Sequence, residues 1–293
     1  MKLNRYLASL HWVACILLFG GCWNKEPKEP GKDPDQKNPQ KVEQDILPEG
    51  KPYTVPELNL KMIWVPAGKF MMGSPKSEPG HQTEEENLHQ VIISRGFWVG
   101  QFEITQSQYE MMMGENPSII VDPRMPVQKV SWENAMEFCK ELTSREMQED
   151  RLPEHWIFNL PTEAQWEYAC RADISGPFHF GYETDELADY AWFHENSSGS
   201  PKPGGLKKPN SWGIHDMHGN LGEWCFDWYG KVYPPDGSVD PITEKASRFK
   251  VFRGGTYTDL AERCRAAYRN RIEPSVSNPW IGFRVVLMRS YFE

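Results

Sequence analysis

Short apolar runs broken by turn residues dominate the first part of the chain beyond residue 60. Met62-Ile63-Trp64-Val65 and Phe70-Met71-Met72 flank Pro66-Ala67-Gly68, which predicts two short strands around a turn. Residues 75–90 are polar and read as loop. Val91-Ile92-Ile93, Gly96-Phe97-Trp98-Val99-Gly100, Phe102 and Ile104 predict further strands. The period then changes. Thr105-Gln106-Ser107-Gln108 has the spacing of a capping box, with Ile104 and Tyr109 placed to staple it, and predicts a short helix to about Met113. Ser131 is a good N-cap for a helix whose Ala135, Phe138, Cys139 and Leu142 share one face. A second capping box, Thr162-Glu163-Ala164-Gln165, predicts a helix running on to Arg171. Beyond it the sequence reads mostly as turns, with strands returning at 249–253 and 282–287.

These elements predict a mixed α+β fold with low regular content. The 12 tryptophans, 23 glycines and 24 prolines point the same way, since large rings can tie together a loop-rich core. The ends carry a different message. Lys2 and Arg5 precede an apolar stretch from Tyr6 to Phe19 that is short for a bilayer span. Leu18-Phe19-Gly20-Gly21-Cys22 then reads as a lipobox, with residues 1–21 as a lipoprotein signal peptide and Cys22 as the lipidated residue. Residues 22–55 are rich in Lys, Glu, Asp and Pro and predict a disordered tether, leaving 56–293 as the folded domain. The expected location is therefore the membrane surface of a bacterium, held by a lipid anchor. A net charge of −9, more acidic still once Lys2 and Arg5 are removed, argues against nucleic acid as a partner.

Several strings, taken in order, resemble the formylglycine-generating enzyme (sulfatase-modifying factor) family across most of 60–288. They are Trp64-Val65-Pro66-Ala67-Gly68, Glu103-Ile104-Thr105, Leu160 to Tyr168, Asp216-Met217-His218-Gly219-Asn220, Glu223-Trp224, Arg253-Gly254-Gly255-Thr256-Tyr257 and Gly282-Phe283-Arg284. The resemblance implies a C-type-lectin-like variant of the α+β class. It also implies a calcium site formed by the Asp216 side chain, the Gly219 and Leu221 carbonyls and the Glu223 carboxylate, a set of oxygens suited to that hard cation. In the enzymes two cysteines after the Gly-Gly turn bind copper and activate oxygen. Carried across, the catalytic candidates are Cys264, Thr256 and Asp259, with Asp259 standing where the first cysteine would be. A carboxylate is a poor substitute for a thiolate on copper(I). A candidate substrate groove is placed around Trp224, Tyr257 and Arg265.

Four cysteines fall in the domain: Cys139, Cys170, Cys225 and Cys264. The family's usual partners for the first two would lie at Val285 and Arg269, so those bridges are absent and Cys139 and Cys170 read as core thiols. Cys264 is either free or bridged to Cys225. No His-x-His or HExxH spacing points to zinc or iron. Arg253, Arg263, Arg265, Arg269, Arg271 and Arg284 are expected to pair internally with carboxylates, with an anion pocket as the other reading. Two function classes follow: an oxidising or maturing enzyme acting on a protein or peptide, and a non-catalytic module that binds a peptide or glycan.

Overall fold

The computed structural model describes residues 47–82 and 87–290. The lipobox, Cys22 and most of the expected tether fall outside them. In chain order the early elements are β1 (Tyr53–Val55), β2 (Leu60–Val65), β3 (Gly68–Met72), β4 (His89–Ile93), β5 (Phe97–Gly100), α1 (Gln106–Met113) and α2 (Trp132–Gln148). They are followed by β6 (Trp156–Asn159), α3 (Glu163–Arg171), α4 (Leu187–Tyr190), β7 (Gly222–Trp228), β8 (Ser238–Val239), β9 (Lys250–Arg253), β10 (Asn270–Ile272), β11 (Ile281–Gly282) and β12 (Val286–Arg289). Three sheets result, ordered β1-β2-β5-β12-β6, β10-β9-β7-β11 and β3-β4-β8. With 19% helix and 23% strand, the chain is a mixed α+β fold of low regular content, as the sequence predicts.

The helix starts are set by side chains. Thr105 accepts from the Gln108 N–H while Gln108 reaches back to the Thr105 N–H, closing the capping box of α1. Thr162 and Gln165 do the same for α3, and Ser131 accepts from Asn134 N at α2. Each such cap contributes about 1 kcal/mol. Gly114 ends α1 in the left-handed region at φ 78°, where a side chain would be strained.

Burial fixes how the elements stack. α1 and α2 pack Tyr109 and Phe138 against Phe283, with Tyr109 and Phe138 stacked at 5.8 Å. This cluster joins Trp98, Trp156 and Trp224 in one core. A second core lies under α3, from Trp166 and Tyr168 to Val251 and Val286. Residues 47–55 belong to the domain, which corrects the expected boundary at 55. Leu47 is buried, Trp98 Nε1 donates to the Lys51 carbonyl at 2.7 Å, and β1 pairs with β2.

Two elements differ from the sequence reading. The strand expected over 282–287 is split: β11 pairs in parallel with β7, and β12 sits between β5 and β6 in another sheet. Gly282 makes the crossing feasible, because a Cβ there would lie 2.7 Å from the Val127 carbonyl. β7, where the sequence reading assigned no strand, lies inside its sheet between β9 and β11. Its Glu223 and Asp227 are buried, so the polar signal that suggests a loop is satisfied inside the protein.

Candidate functional site

β9 delivers the Arg253–Cys264 strip into the centre of the domain. Arg253 is fully buried and its guanidinium binds Glu167, with Glu163 at 3.5 Å. Gly254 and Gly255 follow at φ 98° and 68°, a left-handed pair that favours glycine. A Cβ on Gly255 would meet the Cys264 sulfur at 2.8 Å. The strip is then stitched down by main-chain bonds: Tyr257 N–H to the Asn220 carbonyl at 2.7 Å and His194 N–H to the Asp259 carbonyl at 2.9 Å. Ser197 Oγ donates to the Tyr257 carbonyl at 2.7 Å.

The structure brings Thr256 and Asp259 together. Thr256 Oγ1 donates to Asp259 Oδ2 at 2.9 Å, and Arg263 lies 3.4 Å from Asp259 Oδ1. Cys264 is not exposed. It packs among Phe178, Leu187, Ala191 and Phe193, and burial, followed by the Asp259 charge, pushes its thiol well above the usual range. All four domain cysteines are free and buried. Cys225 belongs to the core under α3, so of the two readings left open for Cys264 the structure has the free thiol. One protonated, buried thiol beside a hydrogen-bonded carboxylate does not fit a two-thiolate copper(I) centre.

The expected calcium residues surround a buried carboxylate cluster. Glu223 Oε1 accepts from Arg284 Nη2 at 2.6 Å; Oε2 accepts from Arg284 Nε at 2.6 Å and Trp166 Nε1 at 2.7 Å. Glu103 accepts from Leu221 N–H at 2.9 Å and Asn220 Nδ2 at 2.6 Å. Asp216 stands at φ 62°, and its Oδ2 takes the Gly205 N–H at 2.9 Å. Its Oδ1 is buried with no hydrogen bond. Burial, then the charges of Asp216 and Glu223, drives the Glu103 carboxyl well above its ordinary range, and burial pushes Asp216 up to about 6.

The idle, buried Asp216 oxygen is an acceptor without a donor, which fits a hard cation. Among the described residues no three His, Cys, Asp or Glu side chains converge on one point, so such a cation would depend on main-chain carbonyls as well. Gly219 keeps that turn tight: a Cβ there would meet the Trp192 carbonyl at 2.3 Å.

The expected groove is corrected. Trp224 lies in the core and donates to the Val130 carbonyl at 2.9 Å. Arg265 is buried on Glu78 at 2.6 Å, and Tyr257 is 7% exposed, so none of the three lines an open surface. Most of the arginine cluster pairs internally, as expected: Arg269 with Glu163 at 2.6 Å, Arg284 with Glu223, and Arg253 with Glu167. Open space lies instead on the far side of the strip. A cavity of about 550 Å³ is lined by Thr184, Asp185, Ala188, Phe193, Glu195, Leu260, Ala261 and Glu262. The sequence reading missed it, because its walls come from three separate segments, 184–188, 193–195 and 260–262. The run of acids at 183–186 was its only local signal.

Comparison with known proteins agrees with this geometry. The chaperone protein LppX of Paenibacillus barcinonensis is 27% identical over 234 residues, covering 65% of this chain and 79% of that protein. The formylglycine-generating enzyme of Streptomyces coelicolor is 28% identical over 198 residues, 58% of this chain, and the match spans 55% of the enzyme's length. The solved structure of PvdO from Pseudomonas aeruginosa superposes with a TM-score of 0.72 at 27% identity, covering 82% of this chain and 99% of that one. The family model for the sulfatase-modifying factor enzyme 1-like domain matches residues 49–289. With that span, the glycine turn of the strip and the Glu223–Arg284 pair, the chain belongs to the sulfatase-modifying factor (formylglycine-generating enzyme-like) family.

Proposed function

We propose that this protein is a non-oxidising member of its family, a membrane-tethered domain that binds an exposed segment of a protein or peptide beside the Arg253–Cys264 strip. One observation carries the reading: where the enzymes need two thiolates, this chain has Asp259 held by Thr256 and a Cys264 thiol closed inside an apolar cluster. Oxidation of a substrate cysteine through paired copper thiolates has no counterpart in these residues. The similarity to LppX, a chaperone protein, supports a role in engaging other chains. The lipobox at Cys22 supports attachment to a membrane, with two or more acyl chains giving a firm hold.

Calcium fits the same reading as a structural ion. Asp216, Glu223 and the carbonyls of Gly219 and Leu221 would hold it, and it would give the buried Asp216 oxygen the partner it lacks. The chain's own part is to present the turn: Asn220 accepts from Tyr257 N–H and so couples that loop to the strip.

The test is direct. The purified protein, with copper and oxygen supplied, is incubated with a Cys-x-Pro-x-Arg peptide and the products are weighed by mass spectrometry. No loss of the cysteine thiol is expected. Aldehyde formation that disappears in Cys264→Ser would overturn the proposal and restore the oxidising enzyme. Glycan binding in the absence of any peptide binding would favour the lectin-like reading.

A further inference from the structure

The cavity beside the strip combines two kinds of surface. Its floor is apolar: Phe193 is 3% exposed, and it packs with Ala261 in the cluster that encloses Cys264. Leu260, by contrast, is 53% exposed at the lip, an apolar side chain left in water. The rim carries Asp185, Glu195 and Glu262, all exposed, and no lysine or arginine lines the space. None of these three carboxylates has an ion pair among the described residues. Arg263, next to Glu262 in sequence, is turned to Asp259, and the Lys207 ammonium donates to the main-chain carbonyl of Ala188 rather than to a rim carboxylate. The buried carboxylates Glu163, Glu167, Glu223, Glu78 and Glu146 all hold arginines, whereas these three stand in solvent. What sets the rim apart is its place, around the mouth of an apolar-floored cavity.

We infer that the cavity seats a cationic, partly aliphatic side chain of a partner peptide, a lysine or arginine whose stem lies on Phe193, Ala261 and Leu260 while its charge meets Asp185, Glu195 and Glu262. This rests on the reading of the chain as a binding domain and names the chemistry of its ligand. The match is chemical on both counts. Long basic side chains bury their methylenes on apolar surface and keep the charged head among acceptors. Three unneutralised carboxylates around one mouth raise the local concentration of a cation and disfavour an acidic segment. The volume suits such an end group with its neighbouring backbone rather than a folded domain.

The experiment uses the full-length lipoprotein in detergent and three fluorescein-labelled peptides of sequence Gly-Leu-X-Ala-X-Leu-Gly, where X is lysine, norleucine or glutamate. Binding is read by anisotropy. The lysine peptide is expected to bind best and to weaken as salt rises from about 0.05 M to about 0.5 M, since screening shortens the reach of the rim charges. Glu195→Gln combined with Glu262→Gln removes two charges without changing volume. It should weaken the lysine peptide roughly tenfold, each exposed ion pair giving a two- to fivefold effect. Ala188→Trp, at an exposed helix position on the wall, should fill the space and abolish binding.

Equal binding of the lysine and norleucine peptides, or no effect of the double Gln variant, would overturn the inference. If such binding is still blocked by Ala188→Trp, the binding-domain reading stands. Absence of all three peptides from the cavity overturns the inference as well. Aldehyde formation on the Cys-x-Pro-x-Arg peptide separately overturns the reading beneath it.

Discussion

Glu167 sits where a single substitution should cost the fold most. Its carboxylate is fully buried and serves two guanidiniums, Arg171 at 2.7 Å and Arg253 in a still closer contact. It also accepts the Gly73 N–H at 2.8 Å, tying α3 to the end of β3. Glu167→Gln keeps the volume and removes the charge, leaving two buried cations facing each other. Breaking a buried pair costs about 3–5 kcal/mol because the stranded charge cannot be hydrated. Arg171 loses its carboxylate outright and Arg253 keeps only the longer contact with Glu163 at 3.5 Å, which places the effect at the upper end. For a domain of this size each kcal/mol moves Tm by about 2–4 °C, so a fall of about 10–20 °C is expected. Urea unfolding followed by tryptophan fluorescence, together with a thermal scan, reads both quantities. A loss below about 1 kcal/mol with an unchanged urea slope would refute the argument, since it would mean that the cations find water or other partners without Glu167.

Three further outcomes follow from the site and its surroundings. Cys139, Cys170, Cys225 and Cys264 should resist a thiol reagent in the native protein and all react in denaturant, as judged by mass spectrometry; a Cys225–Cys264 disulfide peptide would contradict the free thiols. Gly255→Ala should unfold the strip or destabilise it by several kcal/mol, because the new methyl must occupy the place of the Cys264 sulfur at a φ of 68°, and circular dichroism with urea titration measures it. Burial raises the Asp227 carboxyl to about 6, with Glu163 adding to it. The native state therefore holds a proton there that the unfolded chain has lost, and this group's contribution to stability falls as pH rises from about 4 to about 6. The stability of Asp227→Asn relative to the parent should accordingly grow across that range; a flat difference would show that Asp227 is ionised throughout.

What could be read from the residues depended on how local the cause was. The capping boxes at Thr105 and Thr162 and the N-cap at Ser131 are written in three or four adjacent positions, and all three form. The internal pairing of the arginines was legible because an acidic protein offers carboxylates in excess. β7 was not, since Glu223 and Asp227 look like loop residues until Arg284 and the Glu163 and Thr243 N–H groups are brought to them from far along the chain. The groove assigned to Trp224, Tyr257 and Arg265 failed for the converse reason. Aromatic and basic side chains near a glycine turn suggest a ligand surface, but here they are drawn inward by the Val130 carbonyl and Glu78. The cavity depends on three segments distant in sequence meeting, which no local pattern records.

The placement of Arg253, Arg269 and Arg284 separates what holds the strip from what the strip can do. Each anchors its stretch of backbone from the inside, on Glu167, Glu163 and Glu223, and none of those contacts involves the side chains of Thr258 to Arg263. Residues on the outward turn can therefore be exchanged with little penalty to folding. A lineage could lose a metal-binding cysteine, acquire a carboxylate in its place and try new ligands there while the scaffold stayed intact. The frame of buried ion pairs makes the turn above it cheap to rewrite while the domain stays folded.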